Sequence, residues 1–166
     1  MARGTDGPPV KKLSEPHAAY IAGLIDGEGC IRAGFVSTGI VSASLTVSMT
    51  DAPTMRWLHD TVGAGCLRTY APKKHYRRAW RFILGAHRAA DLLRQITPHM
   101  ITKRREAELF VELMDLRATL NHGSRSRGQI RGTSGRPSKF SMAPDQHLRL
   151  ISGLAQEKRR DYGKAV

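Results

Sequence analysis

The chain has 166 residues, with 27 Lys plus Arg against 14 Asp plus Glu, a formal charge of +13 at neutral pH and a pI of about 10.6. That length suits one domain with a sizeable core and is short for two. The charge suits a polyanion-binding surface, although ribosomal and membrane-associated proteins share it. Cys30 and Cys66 form no CxxC pair and no secreted disulfide framework, no His stands in H-E-x-x-H spacing, and no Cys/His cluster suggests zinc. The N-terminus lacks the apolar stretch of a signal peptide, and no apolar run reaches the roughly 18 residues of a membrane span. The expectation is a reduced intracellular protein, cytoplasmic or nucleoid-associated with an organellar origin left open, having no membrane partner and no obvious protein partner.

Residues 1–14 are rich in Gly, Pro and Lys and read as a mobile basic arm. Pro16 then suits a first helical turn, and the apolar run after it recurs near a 3.6-residue period to about Asp26, where Gly27 and Gly29 are expected to stop the helix and present Glu28. Ile21, Leu24 and Ile25 can face the core, while Ala19, Ala22, Gly23 and Asp26 share a smooth sector that another helix backbone could approach closely. The plain alternative is an ordinary amphipathic helix with Glu28 a solvated acid.

From Cys30 the period changes to two. Ile31, Ala33 and Phe35 alternate with Arg32 and Gly34; after a turn at Ser37-Thr38-Gly39, Val41, Ala43, Leu45, Val47 and Met49 alternate with Ser42, Ser44, Thr46 and Ser48. This is a hairpin with an apolar back and a polar front, and short hydroxyls beside an arginine suit phosphates and base edges. Asp51 can cap a helix with Pro53 in its first turn and Met55, Trp57, Leu58 and Val62 on its apolar side, ending at Gly63-Ala64-Gly65. A second hairpin, Cys66 to Tyr70 and Tyr76 to Leu84, is joined through Ala71 to His75. Arg68, Lys73, Lys74, Arg77, Arg78 and Arg81 fall in it without an intervening acid, the strongest nucleic-acid signal in the composition, against the reading of a solvated edge.

His87 to Gln95 reads as a short helix broken at Pro98, and Thr102 to Thr119 as a longer one. Lys103, Arg104 and Arg105 stand at its beginning, the unfavourable end for cations, so a bound polyanion explains them better than helix stability. The Gly/Ser-rich stretch from Asn121 to Lys139 carries Arg125, Arg127 and Arg131 and no acid, as a strap ordering on DNA would. Pro144 to Glu157 reads as a last helix with Leu148, Leu150, Ile151 and Leu154 partly buried. The organisation expected is an arm at 1–14, a core at 15–118, a basic loop at 119–143, and a helix and tail at 144–166. Four strands under helices on one face leave a polar saddle for duplex DNA on the other, to which Tyr70 adds an aromatic ring.

Ile21-Ala22-Gly23-Leu24-Ile25-Asp26-Gly27-Glu28-Gly29 resembles the Leu-Ala-Gly-Leu-Ile-Asp-Ala-Asp-Gly nonapeptide of the LAGLIDADG homing endonucleases. It departs by Ile for Leu, Gly for Ala, and Glu for the metal-binding Asp, and it occurs once. The resemblance implies an α+β fold with an αββαββα core, a saddle-shaped antiparallel sheet and additional C-terminal helices. It implies a homodimer joined through the motif helices, cutting double-stranded DNA. Two or three Mg²⁺ ions, for which Mn²⁺ can substitute, would be shared across the dimer and held by Glu28 and the backbone carbonyl of Gly27. Asp26 matches the earlier acid, which is not the essential metal ligand. Pro98 to Lys103 resembles the stretch leading to the family's catalytic lysine, so that Lys103 stands near the activated water or phosphate; a plain phosphate contact is its other reading. Where the family often has a polar residue at the end of the second strand, this chain has Met49. A non-cleaving maturase or transcriptional regulator on the same saddle is the alternative function. A ribosomal-type RNA binder would explain the charge and not Glu28.

Overall fold

A four-stranded antiparallel sheet, in which the fourth strand lies between the second and the third, packs one face against the described helices. The structure, a computed structural model, describes residues 8–35, 41–70, 78–125 and 149–157. Its elements are α1 (Glu15–Glu28), β1 (Gly29–Phe35), β2 (Val41–Met49), α2 (Ala52–Val62), β3 (Cys66–Tyr70), β4 (Ala79–Gly85), α3 (Ala86–Ile96), a 3₁₀ turn (Thr97–His99) and α4 (Arg104–Arg125). Residues 149–157 are also helical. The order is the expected αββαββα core followed by further helices.

The period-two pattern decides which sheet face is covered. Ile31 pairs with Leu45 and Leu45 with Leu84, while Val47 pairs with Phe82 and Phe82 with Leu67. Ile31, Leu45, Val47, Phe82 and Leu84 are fully buried. Against them pack Ile21 and Ile25 of α1, Leu92, Leu93 and Ile96 of α3, and Phe110 and Leu113 of α4, all likewise buried. Each such side chain contributes about 1.5–3 kcal/mol by leaving water. Leu154, in the helix at 149–157, is buried in the same core, and a Cβ on Gly153 would lie 3.4 Å from Leu109.

Local chemistry sets the α2 boundaries as expected. Asp51 accepts the Thr54 amide at 2.9 Å, and Gly63 takes φ 70°, a left-handed conformation that glycine adopts without Cβ strain. Residues 8–14 differ from the expected mobile arm. Lys11 donates its amide to the Val62 carbonyl at 2.9 Å and its ammonium to the Asp60 carbonyl at 2.8 Å, Gln95 brackets Leu13 and Lys11, and Val10 and Leu13 lie on the core. The arm is pinned because it satisfies the orphan carbonyls at the end of α2. Helix α4 also continues past Thr119 into the Gly/Ser-rich stretch, since no proline interrupts it and extension gains one hydrogen bond per residue. The strap residues Arg127 and Arg131 and the loop residues Lys73, Lys74 and Arg77 lie outside the described residues, as do the turn at 37–39 and residues 1–7. Among the described residues, no helix is long and apolar enough to cross a membrane.

Candidate nucleic-acid interface and carboxylate site

Opposite the core, the sheet presents rows of small polar and cationic side chains. Strand register aligns Arg32 with Ser44, Gly34 with Ser42, and Ser48 with Arg81 and Arg68; Thr46 lies between Cys30 and Ile83, and Ile83 pairs with Cys66. Arg32, Ser42, Arg68, Tyr70 and Arg81 are exposed, and Gly34, Ser44, Thr46 and Ser48 partly so. Every expected interface residue among the described strands therefore shares this one face. Cys30, Ile83 and Cys66 share it too and were missed, although their two-residue spacing from Arg32, Arg81 and Arg68 carried the signal. Arg125 closes α4, away from the strands in sequence.

Arg68 and Arg81 stand directly opposite each other on neighbouring strands. Like charges so placed cost stability. The sheet manages them by turning each aside. Arg81 lies over the Tyr70 ring at 4.8 Å and donates to Ser48 Oγ at 3.3 Å and Tyr70 Oη at 3.5 Å, while Arg68 Nε points to Cys66 Sγ at 3.3 Å. A polyanion would relieve that repulsion. Met49, in contrast, pairs with Trp80 and packs against the core, so the polar side chain that β2 presents on the open face near its end is Ser48.

Helix α1 runs through Gly27 to Glu28, so Gly27 does not stop it; one more hydrogen-bonded turn outweighs its weak helix propensity. Gly29 ends it in extended conformation at φ −80°, with its amide on the Ile25 carbonyl. Here the requirement is space: a Cβ on Gly29 would lie 2.5 Å from the Ile25 carbonyl oxygen. At Gly23 and Gly27 an added Cβ would meet nothing within 4 Å. Pro16, Ala19, Tyr20, Gly23 and Gly27 form an exposed stripe at helical spacing. Ala22, expected on that stripe, is fully buried, because its angular position points beneath the helix onto the core. Tyr20, 56% exposed, edges against Trp57 at 5.0 Å between centroids, and His17 meets Trp57 at 5.6 Å.

Asp26 also faces inward, toward residues 101–103. Its carboxylate accepts the amides of Ile101 at 2.6 Å, Thr102 at 3.2 Å and Lys103 at 3.0 Å. Partial burial alone pushes its carboxyl up, but these amides and the Thr102 hydroxyl together outweigh burial and hold it below the ordinary carboxylate value. Lys103 Nζ donates to the carbonyls of Ile25 at 3.1 Å and Asp26 at 2.6 Å. The basic cluster thus differs from its expected reading. Arg104 donates to the carbonyls of Met100 at 2.9 Å and Pro98 at 3.0 Å, and Arg105 to Glu108 at 3.2 Å. Arg104 and Arg105 are held by acceptors near them in sequence, whereas Lys103 sits at the start of α4 because carbonyls at the end of α1 take its ammonium. No local pattern could show this, since Asp26 and Lys103 lie far apart in sequence.

Glu28 is exposed at the end of α1. With Asp26 committed to amides, one chain offers the Glu28 carboxylate and the neighbouring Gly27 carbonyl, hard oxygen donors suited to Mg²⁺ with water completing its shell. Among the described residues, no group of three or more His, Cys, Asp or Glu could hold a metal. Glu28 and the Gly27 carbonyl are two such oxygen donors, fewer than a divalent ion takes.

The sequence matches no family model and no curated protein. Solved structures are similar in fold. The homing endonuclease I-CvuI, in complex with its target in the presence of calcium, is 21% identical with a TM-score of 0.53 over 84% of this chain and 95% of that one. The homing endonuclease I-TnaI is 15% identical with a TM-score of 0.52 over 88% and 99%. The LAGLIDADG homing endonuclease I-GzeII, in complex with a DNA target, is 17% identical with a TM-score of 0.57 over 87% of this chain and 46% of its own. The chain spans nearly the whole of the first two and under half of the third. Its αββαββα arrangement, with helices on one face of an open antiparallel sheet, is the fold of the LAGLIDADG homing endonucleases.

Proposed function

We propose that this chain is one subunit of a homodimeric, divalent-metal-dependent endonuclease that cuts double-stranded DNA at a long pseudo-palindromic site. The observation that carries the reading is Glu28: an exposed carboxylate ends a helix that is bare at Gly23 and Gly27, and it stands next to a strand whose open face carries Arg32. Two copies joined along Ala19, Gly23 and Gly27 would bring two Glu28 carboxylates together about a two-fold axis, completing what one chain supplies by half. Glu28 and the Gly27 carbonyl would hold Mg²⁺, or Mn²⁺ in its place. Bound there, the ion would activate water and neutralise charge developing on the phosphate.

The chain's own residues would do the remaining work. Arg32, Arg68 and Arg81 would draw the duplex onto the saddle and, with Ser42, Ser44, Thr46 and Ser48, meet its base edges and phosphates. Placement of Glu28 at the end of a packed helix would hold the carboxylate still while DNA binds. The similarity in fold to structures solved with DNA supports this reading.

The test is cutting of the gene's flanking sequence, joined across its insertion site, with Mg²⁺. Wild type is expected to cut it, while Glu28→Gln should bind it equally well and leave it intact, because the amide keeps size and hydrogen bonding without the charge. Cutting by Glu28→Gln would remove Glu28 from the mechanism. Wild-type binding without cutting would favour a non-cleaving maturase or regulator.

A further inference from the structure

The ends of α1 and α4 exchange caps. The Asp26 carboxylate, from the last turn of α1, takes the three amides entering α4; the Lys103 ammonium, from the entrance of α4, takes two carbonyls in the last turn of α1. Thr102 Oγ1 adds a contact to the Asp26 carbonyl at 3.4 Å. Each charged side chain thus bonds backbone polar groups where the other helix begins or ends, with the sign that helix's dipole favours.

We propose that Asp26 and Lys103 are a pair of positioning residues, a crossed clasp that fixes the last turn of α1 and so sets where Glu28 stands. This rests on the reading of Glu28 as the metal-holding acid. The turn needs such help. Its outer side is open at Gly27, glycine there weakens the helix by about 1 kcal/mol relative to alanine, and helix ends fray. Gly29 leads directly into β1, so any movement of the turn shifts Glu28 against the sheet face. The clasp also accounts for Lys103 without assigning it to the reacting phosphate: its ammonium is already bonded to the backbone of the helix that carries Glu28.

The experiment compares Asp26→Ala, Lys103→Met, Lys103→Arg and the Asp26→Ala/Lys103→Met double variant by single-turnover cutting, DNA affinity and amide hydrogen exchange. Either single truncation should slow cutting about tenfold or more with affinity within about threefold of wild type, and the double variant should lose little beyond either single. Lys103→Arg should recover part of the rate. In Lys103→Met the amides of residues 27–29 should exchange faster, and in Asp26→Ala so should those of residues 101–103. Lys103→Met that slows cutting while Asp26→Ala cuts normally would place Lys103 on the reacting atoms and overturn the clasp. A loss of affinity with the salt slope reduced by about 1 would make Lys103 a phosphate contact and overturn it equally. Failure of wild type to cut would overturn the endonuclease reading instead, and exchange would still decide: faster exchange at the far helix end in each single variant supports the clasp, unchanged exchange overturns it.

Discussion

Gly29 and Gly23 belong to the same short motif, yet a methyl group added to them would meet opposite things. At Gly29 it would strike the Ile25 carbonyl at 2.5 Å; at Gly23, and again at Gly27, it would meet nothing within 4 Å. One glycine is demanded by the chain's own packing. The other two leave a helix backbone bare toward the outside, which does nothing for a single chain and costs helix stability. The motif therefore divides into residues the chain packs for itself, among them Ile21, Ala22, Ile25, Asp26 and Gly29, and residues left open, namely Gly23, Gly27 and Glu28, which the proposed dimer would cover.

The sharpest break in that division comes from enlarging both kinds of glycine. Gly29→Ala pushes a Cβ into backbone that cannot swing aside, so its fold should lose about 1–3 kcal/mol, read by denaturant titration. Gly23→Leu should leave the fold of each chain nearly unchanged and abolish self-association. Sedimentation should show the wild type as a dimer and Gly23→Leu as a monomer, and the melting temperature should depend on protein concentration only in the wild type. A Gly29→Ala protein as stable as wild type, or a wild type that stays monomeric with DNA, would erase the contrast.

Much of this was legible in the sequence because it is local. Period-two alternation placed the open face from Arg32 to Arg81, and Asp51, Pro53 and Gly63 marked α2, since each acts within a few residues of itself. What escaped was set by contacts across long separations. Residues 8–14 read as an arm because nothing in them announces that Lys11 reaches the end of α2. Lys103 read as part of a polyanion site because its acceptors belong to the end of α1. Ala22 read as interface because a helical wheel gives directions around an axis and leaves open which direction is core. Glu28 stands exposed at the end of α1, where the sequence expects it.

The two faces of the sheet extend the same contrast. Trp80 and Arg81 are chain neighbours, one packed on the core side and the other held on the open face by Ser48 and Tyr70. Arg81→Ala should leave the fold as stable as wild type or slightly more so, since Arg68 loses a like-charged neighbour. In binding to a panel of single-base variants, it should relax preference at a few positions by about 1–3 kcal/mol. Equal weakening for every duplex would make Arg81 a backbone contact.

The smallest effect separates two aspartates that both accept amides where a helix begins. Asp26 reaches across the fold to do so; Asp51 caps its own α2 through Thr54, whose side chain first and backbone amide second favour the anion and lower the Asp51 pKa from 3.8, against a small opposing effect of burial. Because the folded value lies below the unfolded one, the Asp51 contribution is fully present above 3.8 and fades as pH falls through the folded pKa. Asp51→Asn retains an acceptor oxygen and does not titrate. The melting temperature of wild type relative to Asp51→Asn should therefore stay flat from neutral pH down to about pH 4 and decline below it. The change should be slight, since the carboxylate is exposed and screened by water. A difference that stays constant through the acid range would show that the charge on Asp51 adds nothing to its cap, leaving α2 started by Pro53 and the packing of Met55 and Leu58 alone.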